Sequence, residues 1–365
     1  MKIAMIGHKR IPSREGGVEV VVEALAVRMA QQGHDVTVYN RRGKHVSGGK
    51  TVDTKEYKGV KIKRIPTFES SKLNAIVYSV IASFLALFGR YDVIHFHAEG
   101  PCSMLWLPHM LGIRTVATIH GLDWQRAKWG GFATRFLKFG EKTAAKYADE
   151  LIVLSEGTKE YFMETYGRKT IFLPNGVDEH EYAEPQIIKE KYGLDKDKYI
   201  LFLARIVPEK GLHYLIEAFS KTDADIKLVI AGGVSHSDEY AEKIKKMAED
   251  SRIIFTGFVE DRELWELFYN CRLYVLPSDV EGMPLTLLEA MNCGCECLVS
   301  DIETTKSVVG EYGYTFRKGD VSDLKEKIEE ILKSPKTDKS EQLAYIRKNY
   351  SWDEITRRTL EIYKR

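Results

Sequence analysis

Cysteine is scarce in this chain of 365 residues, which contains five, three of them within residues 293–297. So few cysteines do not make a disulfide framework, and a reducing cytosol is the natural compartment. The longest apolar run, IVYSVIASFLALFG, is shorter than the ~20 residues that a helix needs to cross a bilayer. The apolar stretch at the N-terminus is too short for a signal peptide. We therefore expect a cytoplasmic protein without a transmembrane anchor, and peripheral contact with the inner face of the membrane stays open.

The chain also lacks an excess of either charge, since it contains 54 Lys and Arg residues and 53 Asp and Glu residues. No global field attracts nucleic acid, so nucleic acid is not an expected partner and any anion site must be local. The composition, 44% hydrophobic and 29% charged, is that of a globular protein. A chain of this length is long for one core and predicts two domains.

Short apolar runs alternate with segments of helical period along the whole chain, a pattern typical of parallel sheets covered by helices. In the first half, the expected strands are KIAMIG, DVTVYN, VKIKRIP, DVIHFH, TVATIH, ELIVLS and TIFLPNG, with helices such as residues 18–32 between them. In the second half, they are YILFLAR, IKLVIAGG, IIFTGFV, LYVLPSD and CLVSD.

Polar and turn residues cluster at residues 174–185, where we place the domain boundary. We predict an α/β protein with two Rossmann-like doubly wound domains, residues 1–178 and 179–350. A C-terminal helix, residues 351–365, is able to fold back on the first domain. Ligands of such sheets bind beyond the carboxyl ends of the strands, and two such domains imply a cleft between them. Motifs that follow strands are therefore the candidates for a site.

The loop after the first strand carries Gly16 and Gly17 just before a helix that we expect to begin near Val18. Two glycines let backbone amides approach a ligand, and a helix N-terminus favours an anion. Alternatively, the two glycines only permit a strained turn. Three basic residues in the same loop favour an anion or sugar site: Lys9, Arg10 and Arg14.

This loop lacks the dinucleotide fingerprint G-x-G-x-x-G and is too long for the tight turn of that motif. After the second strand, Asn40, Arg41 and Arg42 stand where an acidic residue would bind a ribose. The arginines are compatible with a 2′-phosphate, so NADP is not excluded on this point alone. The missing fingerprint weighs against it, and we expect no cofactor.

His120 ends a strand, with Asp123 and Arg126 just beyond it. A histidine there can donate to a ligand oxygen or exchange a proton near neutral pH, although strand-end histidines also serve as structural hydrogen-bond partners. Another strand ends with three residues whose spacing does not establish a metal site: His95, His97 and Glu99.

Arg205 ends the first strand of the second half, and we expect Lys210 with Gly211 to begin the next helix. A guanidinium fork and an ammonium point charge make a compact site for a diphosphate. Considered singly, either residue is also explained as a solvated charge in a loop that binds no ligand. The nucleotide base would be recognised by backbone near residues 257–259, which include Val259.

Two carboxylates, Glu281 and Glu289, flank the start of a helix in which Pro284 is the expected first residue. The free amides of Leu285 and Thr286 can then bind a phosphate. Glu289 is suited to ribose hydroxyls, and Glu281 to a sugar ring or a developing positive charge. Alternatively, Glu281 only complements the helix dipole.

Cys293, Cys295 and Cys297 alternate along the chain, whereas zinc sites usually use C-x-x-C pairs from two places. We expect Cys295 and Cys297 to pack in the core. Residues 124–147 mix aromatic and basic side chains, including Trp129 and Lys128. Such a helix suits the interface of an anionic membrane, or it packs its aromatics beneath a solvated face.

Taken together, these motifs resemble a GT-B glycosyltransferase of the large retaining family GT4, over nearly the whole chain. The most specific is E-x7-E, from Glu281 to Glu289, flanked by LPS and EAM. The others that carry the resemblance are Gly16 with Gly17, His120, and Arg205 with Lys210. The opening GHKRIPSREGGVE also resembles a bacterial subgroup associated with surface polysaccharide synthesis.

The resemblance implies a nucleotide-diphosphate sugar as donor and a glycan or lipid-linked acceptor. Arg205 and Lys210 would neutralise the departing diphosphate, aided by the amides of Leu285 and Thr286. Glu289 would hold the ribose.

Glu281 and His120 would contact the transferred sugar, with Gly17 near the phosphate. Transfer would retain anomeric configuration without a metal, in keeping with the absence of D-x-D near the site. A GT-B epimerase and a non-catalytic sugar-nucleotide or glycan-binding protein are the alternatives. Relatives usually read CG-x-P-V after this helix, and Glu296 in place of the proline leaves the conformation of that turn open.

Overall fold

The computed structural model describes residues 1–42, 54–67, 73–125, 131–233 and 238–365. The chain divides into two compact units. The first unit comprises Met1–Gly176 and Trp352–Arg365, and the second unit comprises Val177–Ser351.

The first unit contains a sheet that, among its described residues, has the strand order β3-β4-β2-β1-β5-β6-β7-β8. Its neighbouring strands are parallel except for the antiparallel pair β3 and β4. Strand β5 is buried along its whole length, including His95 and His97, as a parallel sheet covered on both faces requires. The strands are β1 (Lys2–Ile6), β2 (Asp35–Arg42), β3 (Glu56–Tyr57), β4 (Val60–Pro66), β5 (Val93–His97), β6 (Arg114–Ile119), β7 (Glu150–Val153) and β8 (Ile171–Phe172).

The helices of the first unit are α1 (Gly17–Gln31), α2 (Leu73–Leu87), α3 (Glu99–Cys102), α4 (Trp106–Met110), α5 (Phe132–Tyr147), α6 (Glu156–Tyr166) and the C-terminal helix (Trp352–Lys364). Local chemistry sets their ends: Ser155 caps α6 by accepting from the Thr158 amide, and Gly167 ends it in the left-handed conformation. The C-terminal helix packs on α1, where Arg28 pairs with Asp353 at 2.9 Å. The core of this unit includes Tyr78, Phe96 and Phe162.

The second unit contains a sheet of parallel strands in the order β11-β10-β9-β12-β13-β14, counting its described residues. The strands are β9 (Tyr199–Leu203), β10 (Lys227–Ala231), β11 (Ile253–Gly257), β12 (Leu273–Leu276), β13 (Cys297–Ser300) and β14 (Tyr314–Phe316). The helices are α7 (Ile187–Tyr192), α8 (Leu212–Ser220), α9 (Asp238–Met247), α10 (Asp261–Asn270), α11 (Leu285–Asn292), α12 (Glu303–Val309), α13 (Val321–Lys333) and α14 (Ser340–Asn349).

The prediction of two Rossmann-like α/β folds is confirmed by these two sheets. The edge strands β3 and β14 were not predicted, since they have only two and three residues and no apolar period of their own. Pro284 is the N-cap of α11 rather than its first residue, because its ψ of 110° is extended. Among the described residues, no helix is long and apolar enough to cross a membrane.

Candidate active site

The second sheet reverses its strand order between β9 and β12, which lie side by side. From β9 the neighbouring strand is β10, and from β12 it is β13. Loops that leave such a pair in opposite directions open a crevice at the carboxyl ends of the strands, where ligands of doubly wound folds bind. Arg205 and Lys210 follow β9, and Glu281 follows β12.

Lys210 and Glu281 are in direct contact at this point. The Lys210 ammonium donates to Oε1 of Glu281 at 2.5 Å, and the Ser278 hydroxyl donates to the same oxygen at 2.7 Å. The side chains are 15% and 7% exposed, so the pair is largely shielded from water. A mostly buried charge of each sign, held by a third polar group, leaves little net charge in the ligand-free site.

A glycine and a backbone hydrogen bond bring these two loops together. Gly211 follows Lys210 with φ of +66°, and a Cβ there would lie 1.9 Å from the carbonyl oxygen of Pro277. Only glycine combines that backbone conformation with so close an approach. The Asp279 amide also donates to the Glu209 carbonyl at 2.9 Å. The prediction that Lys210 with Gly211 begins the next helix is wrong, because Lys210 ends a 3₁₀ helix, Pro208–Lys210, and Gly211 is the N-cap of α8.

Helix α11 begins beside the same strand end. Its first amides, those of Leu285 and Thr286, have no acceptor within the helix, because the first turn lacks preceding carbonyls. The buried Tyr274 hydroxyl donates to Oγ1 of Thr286 at 3.0 Å, which leaves the threonine hydroxyl proton to donate elsewhere. Glu289 lies one turn further along α11 and is buried.

Arg205 is half-buried two residues beyond β9, and Val259 is buried two residues beyond β11. Because the strands are parallel, both lie at the same edge of the sheet as Lys210 and Glu281. The strand β11 is two places from β9, so Val259 lies toward the end of this edge. Of the residues at this edge, Lys210 and Ser278 both contact Glu281 directly.

In the first unit, the loop with Gly16 and Gly17 contains a carboxylate that sequence reasoning overlooked. Glu19 is buried, its Oε1 accepts from the Lys9 amide at 2.7 Å, and a Cβ on Gly16 would lie 2.3 Å from its Oε2. Gly16 thus makes room for this side chain at the start of α1. The charge of Glu19 interacts with the Arg41 guanidinium, so this carboxylate has a cation nearby.

A basic residue of this loop has an ion-pair partner within it. Arg10 forms an ion pair with Glu15 at 3.0 Å. Gly17 itself is exposed and Gly16 is half-buried, so backbone at the N-terminus of α1 is accessible. His8, at the start of the loop, is wholly buried with its Nε2 2.8 Å from Oδ1 of Asn40. Burial lowers the pKa of His8 to about 4.

His120 follows β6, and its ring lies beside two histidines of the neighbouring strand β5. Its Nε2 is 3.1 Å from Nδ1 of His97, and the His97 ring centroid is 4.1 Å from that of His95. Burial lowers the pKa of His95 to about 3 and that of His97 well below its usual value. Both rings are therefore neutral. The sequence showed these histidines at strand ends but not their contact.

Two buried carboxylates hold the segment that follows His120. The Asp123 amide donates to Oε1 of Glu99 at 3.2 Å, and the Trp124 indole donates to Oε2 of Glu141 at 2.9 Å. Burial, and then the charges of Asp123 and Glu141, raise the pKa of Glu99 to about 10.

Three residues named from the sequence lie outside the described residues: Arg126, Lys128 and Trp129. In the part of the chain that the structure describes, no cluster of His, Cys, Asp or Glu is suited to a metal ion.

The cysteine-rich turn belongs to the core of the second unit. The prediction that Cys295 and Cys297 are buried is confirmed, and the Cys295 thiol lies 3.0 Å from the carbonyl oxygen of Phe268. Burial raises the thiol pKa of both residues well above the usual value. Glu296, between them, is buried in an ion pair with Arg272.

Comparison with known proteins assigns the family. Residues 15–181 match Glycosyltransferase Family 4, and residues 185–350 match the glycosyl transferases group 1. The chain belongs to the GT4-type glycosyltransferases of group 1. In this family, Lys210, Glu281 and α11 fall in the group 1 half, and Gly16, Gly17 and His120 fall in the Family 4 half.

Several curated glycosyltransferases are similar in sequence. The serotype-specific mannosyltransferase WbdA of Escherichia coli is 38% identical over 156 residues, which are 40% of this chain and 19% of WbdA. The alignment therefore spans about a fifth of that relative. A GDP-mannose-dependent alpha-(1-6)-phosphatidylinositol monomannoside mannosyltransferase of Mycolicibacterium smegmatis is 28% identical over 78% of this chain and 76% of that protein.

Solved structures of the same fold cover the whole chain. Sucrose-phosphate synthase of Thermosynechococcus elongatus aligns with a TM-score of 0.82 at 19% identity, over 100% of this chain and 98% of that one. Anabaena Alr3699/HepE, solved in complex with UDP and glucose, aligns with a TM-score of 0.82 at 16% identity, over 100% and 99%. At these identities the likeness establishes the GT-B fold.

Proposed function

We propose that this glycosyltransferase moves a hexosyl or deoxyhexosyl group from a nucleotide-diphosphate sugar to a glycan or lipid-linked acceptor, with retention of anomeric configuration. The proposed setting is bacterial surface polysaccharide biosynthesis. Two relatives are mannosyltransferases by name, and HepE binds UDP and glucose, so GDP-mannose and UDP-glucose are the first donors to test.

The observation that carries the proposal is the Lys210–Glu281 pair beside the N-terminus of α11. A donor diphosphate placed there would meet the Lys210 ammonium, the Arg205 guanidinium and the first amides of α11. These groups favour the charge that develops as the sugar–phosphate bond breaks. No metal is needed in this proposal, since the two cations supply the positive charge.

The transferred sugar would meet Glu281 and His120, and Glu289 would accept hydrogen bonds from the ribose. Glu281 is well suited to a sugar carbon that gains positive charge, because Ser278 and Lys210 fix one of its oxygens. The N-terminal loop with Gly16 and Gly17 would face sugar hydroxyls, for which the carboxylate of Glu19 is a compatible neighbour.

The first experiment is a thermal-shift screen with UDP, dTDP and GDP, since a ligand that binds only the folded state raises its melting temperature. The responding nucleotide then selects the donor for a turnover assay with NMR analysis of the product anomer. Lys210→Ala should lower kcat/KM by at least about 100-fold, the typical loss of one electrostatic contact to the transition state. Glu289→Ala should lower kcat/KM by about 10-fold to 100-fold, the value of a charged hydrogen bond to the ribose.

A matched control is Lys221→Ala, because Lys221 pairs with Glu217 on the exposed side of α8 and should leave turnover unchanged. Near-normal activity in both Lys210→Ala and Glu289→Ala would refute the assignment. An epimerase would consume the donor without an acceptor, and a binding protein would release no nucleotide. Strict dependence on a divalent cation, tested with EDTA, would refute the metal-free mechanism.

We further propose that the first unit binds an anionic membrane surface through its α2–α5 face, defined by the exposed residues of α2, α4 and α5. Helix α2 has no charged residue. It exposes the apolar side chains Val80, Phe84 and Leu85, and the next exposed apolar residue, Phe88, lies just beyond the helix and is 72% exposed. Exposed apolar side chains of this size mark interaction surfaces.

The neighbouring helices add apolar and basic groups to this face. Met110 and Leu111 are exposed at the end of α4, which contacts both α2 and α5. Helix α5 exposes two phenylalanines and four cations: Phe132, Phe139, Arg135, Lys138, Lys142 and Lys146. Its one acidic residue, Glu141, is buried. Apolar groups rimmed by cations suit anionic lipid headgroups.

Flotation with vesicles that contain phosphatidylglycerol tests this surface. We expect binding by the wild type, loss on Phe84→Ser with Phe88→Ser, and loss on Arg135→Glu with Lys142→Glu. The charge-matched control is Lys243→Glu with Lys246→Glu on α9 of the second unit, which should bind normally. Unchanged binding by the α2 and α5 variants, or burial of this face in a homodimer by analytical ultracentrifugation, would contradict the proposal.

A further inference from the structure

His97 lies behind His120, one strand deeper in the first sheet. It is the last residue of β5, and in the parallel register of β5 and β6 it is opposite Thr118, two residues before His120. The ring of His97 is wholly buried and lies between two other rings, with centroids 4.1 Å from His95 and 5.3 Å from His120. Its position is therefore fixed by packing.

His95 has hydrogen-bond partners of its own. Its Nδ1 is 2.7 Å from the Tyr363 hydroxyl, and its Nε2 is 2.8 Å from Oγ1 of Thr118. Two hydroxyl groups can serve either tautomer, since each can donate or accept. His95 thus supports the His97 ring without taking part in its hydrogen bonds.

The two nitrogens of His97 have different surroundings. Nδ1 is 3.1 Å from Nε2 of His120, whereas Nε2 is sealed from water with no hydrogen-bond partner among the described residues. Burial, the largest cause, lowers the pKa of His97 well below its usual value. The ring is therefore neutral and carries one proton.

The position of that proton follows from the cost of leaving a group unpaired. With the proton on Nε2, His97 would bury an N–H donor that has no acceptor, which native structures rarely do. With the proton on Nδ1, the N–H donates to His120 and the sealed atom is a bare acceptor. The second tautomer satisfies the only donor of the ring.

We propose that His97 is a positioning residue that donates from Nδ1 to Nε2 of His120 and so fixes the proton of His120 on Nδ1. A neutral imidazole with an accepting Nε2 carries its single N–H on Nδ1. The inference rests on the proposed function, in which His120 contacts the transferred sugar.

The consequence for the reaction is a defined role for His120. With Nε2 engaged, His120 presents Nδ1–H as a hydrogen-bond donor to a sugar oxygen. Proton abstraction through Nε2 is disfavoured, because that lone pair already accepts from His97. His97 therefore makes His120 a fixed donor rather than a general base.

NMR reads this tautomer directly, without turnover. Long-range ¹H–¹⁵N correlation of protein labelled with ¹⁵N-histidine distinguishes protonated from bare ring nitrogens, and loss of one signal set in His120→Asn assigns His120. At neutral pH we expect Nδ1 of His120 protonated and Nε2 bare. His97→Leu should give a mixture of tautomers, and His97→Asn, whose amide nitrogen replaces Nδ1, should restore the single form.

A proton on Nε2 of His120 in the wild type overturns the proposal without any variant. An unchanged single Nδ1–H form in folded His97→Leu, judged by its circular dichroism, overturns it as well. Both readouts stand whether or not the chain turns over the donors tested, so their failure is distinct from failure of the proposed function.

Turnover adds a second readout. His97→Leu should lower kcat/KM by about fivefold, the value of one neutral hydrogen bond, with recovery in His97→Asn. His120→Asn, which keeps a donor where Nδ1 stands, should be more active than His120→Gln, whose amide nitrogen lies near Nε2. The reverse order would contradict the proposal.

Discussion

Lys210 and Glu281 form a largely buried ion pair although they are 71 residues apart in the chain. Lys210 ends a 3₁₀ helix that follows β9, and Glu281 lies in the loop that follows β12. Gly211 allows the two segments to touch. In the ligand-free protein the carboxylate therefore neutralises the ammonium. A donor diphosphate placed at this point competes with Glu281 for the same cation.

This competition predicts opposite effects on binding and turnover in Glu281→Gln. The amide keeps an acceptor for Ser278 but removes the negative charge, so residue 281 no longer competes with a diphosphate for the Lys210 ammonium. We expect the free nucleotide diphosphate to bind about threefold to tenfold more tightly by calorimetry, the net value of one charge pair after the cost of desolvation. Turnover should fall by at least about 100-fold, since charge stabilisation at the sugar is lost.

The comparison variant is Ser278→Ala, which removes a donor to Glu281 and keeps both charges. Its nucleotide affinity should stay close to that of the wild type. Weaker nucleotide binding in Glu281→Gln would mean that the pair supports the diphosphate site rather than competing with it.

The sequence predicted the sheets because buried parallel strands read as continuous apolar runs, as in β1 and β12. It also predicted that Arg205 ends a strand and that Glu281 lies in the loop after one. It did not predict the Lys210–Glu281 contact or the His97–His120 contact, because both depend on which strands are neighbours. Glu19 was overlooked because its position in α1 gives no sign that its side chain turns toward Gly16.

Tyr274 offers a test of how Thr286 is oriented. Burial raises the pKa of Tyr274 well above its usual value, so the hydroxyl keeps its proton and donates to Thr286 at 3.0 Å. Tyr274→Phe should weaken nucleotide binding by about fivefold, the value of one hydrogen bond. The measurement is calorimetric titration with the nucleotide that the thermal-shift screen identifies.

A double-mutant cycle separates orientation from general destabilisation. Thr286→Val should weaken binding at least as much as Tyr274→Phe, and the double variant should be no weaker than Thr286→Val alone, because both remove the same interaction. Additive losses would show that Tyr274 acts independently of Thr286.

The ion pair between Glu296 and Arg272 supports the turn before β13. Both side chains are nearly inaccessible to solvent, and the Thr337 amide donates to Glu296 at 3.1 Å. Glu296→Ala leaves a buried guanidinium without its counter-charge, so we expect a loss of about 3–5 kcal/mol in the free energy of unfolding. Urea denaturation measures it.

The same variant should keep its kcat at a temperature where it is folded, because the pair lies on the turn before β13 and not at the Lys210–Glu281 contact. Arg272→Met with Glu296→Leu should be more stable than Glu296→Ala, since no unpaired charge remains. A loss below about 1 kcal/mol in Glu296→Ala, typical of an exposed pair, would contradict the structural role.

Glu99 predicts an unusual pH dependence of stability. Burial, followed by the charges of Asp123 and Glu141, raises its pKa to about 10, so the folded protein keeps this carboxyl protonated at neutral pH while the unfolded chain ionises it. The folded state then binds more protons than the unfolded state, and the free energy of unfolding falls as pH rises from about 5 toward 10, by up to about 1.4 kcal/mol per pH unit.

Glu99→Gln mimics the protonated form and removes this pH dependence of stability. Its stability relative to the wild type should therefore increase with pH in urea titrations between about pH 6 and 9. Parallel curves for the two proteins would show that Glu99 ionises normally in the folded state, and that the segment after His120 is held by a charged carboxylate.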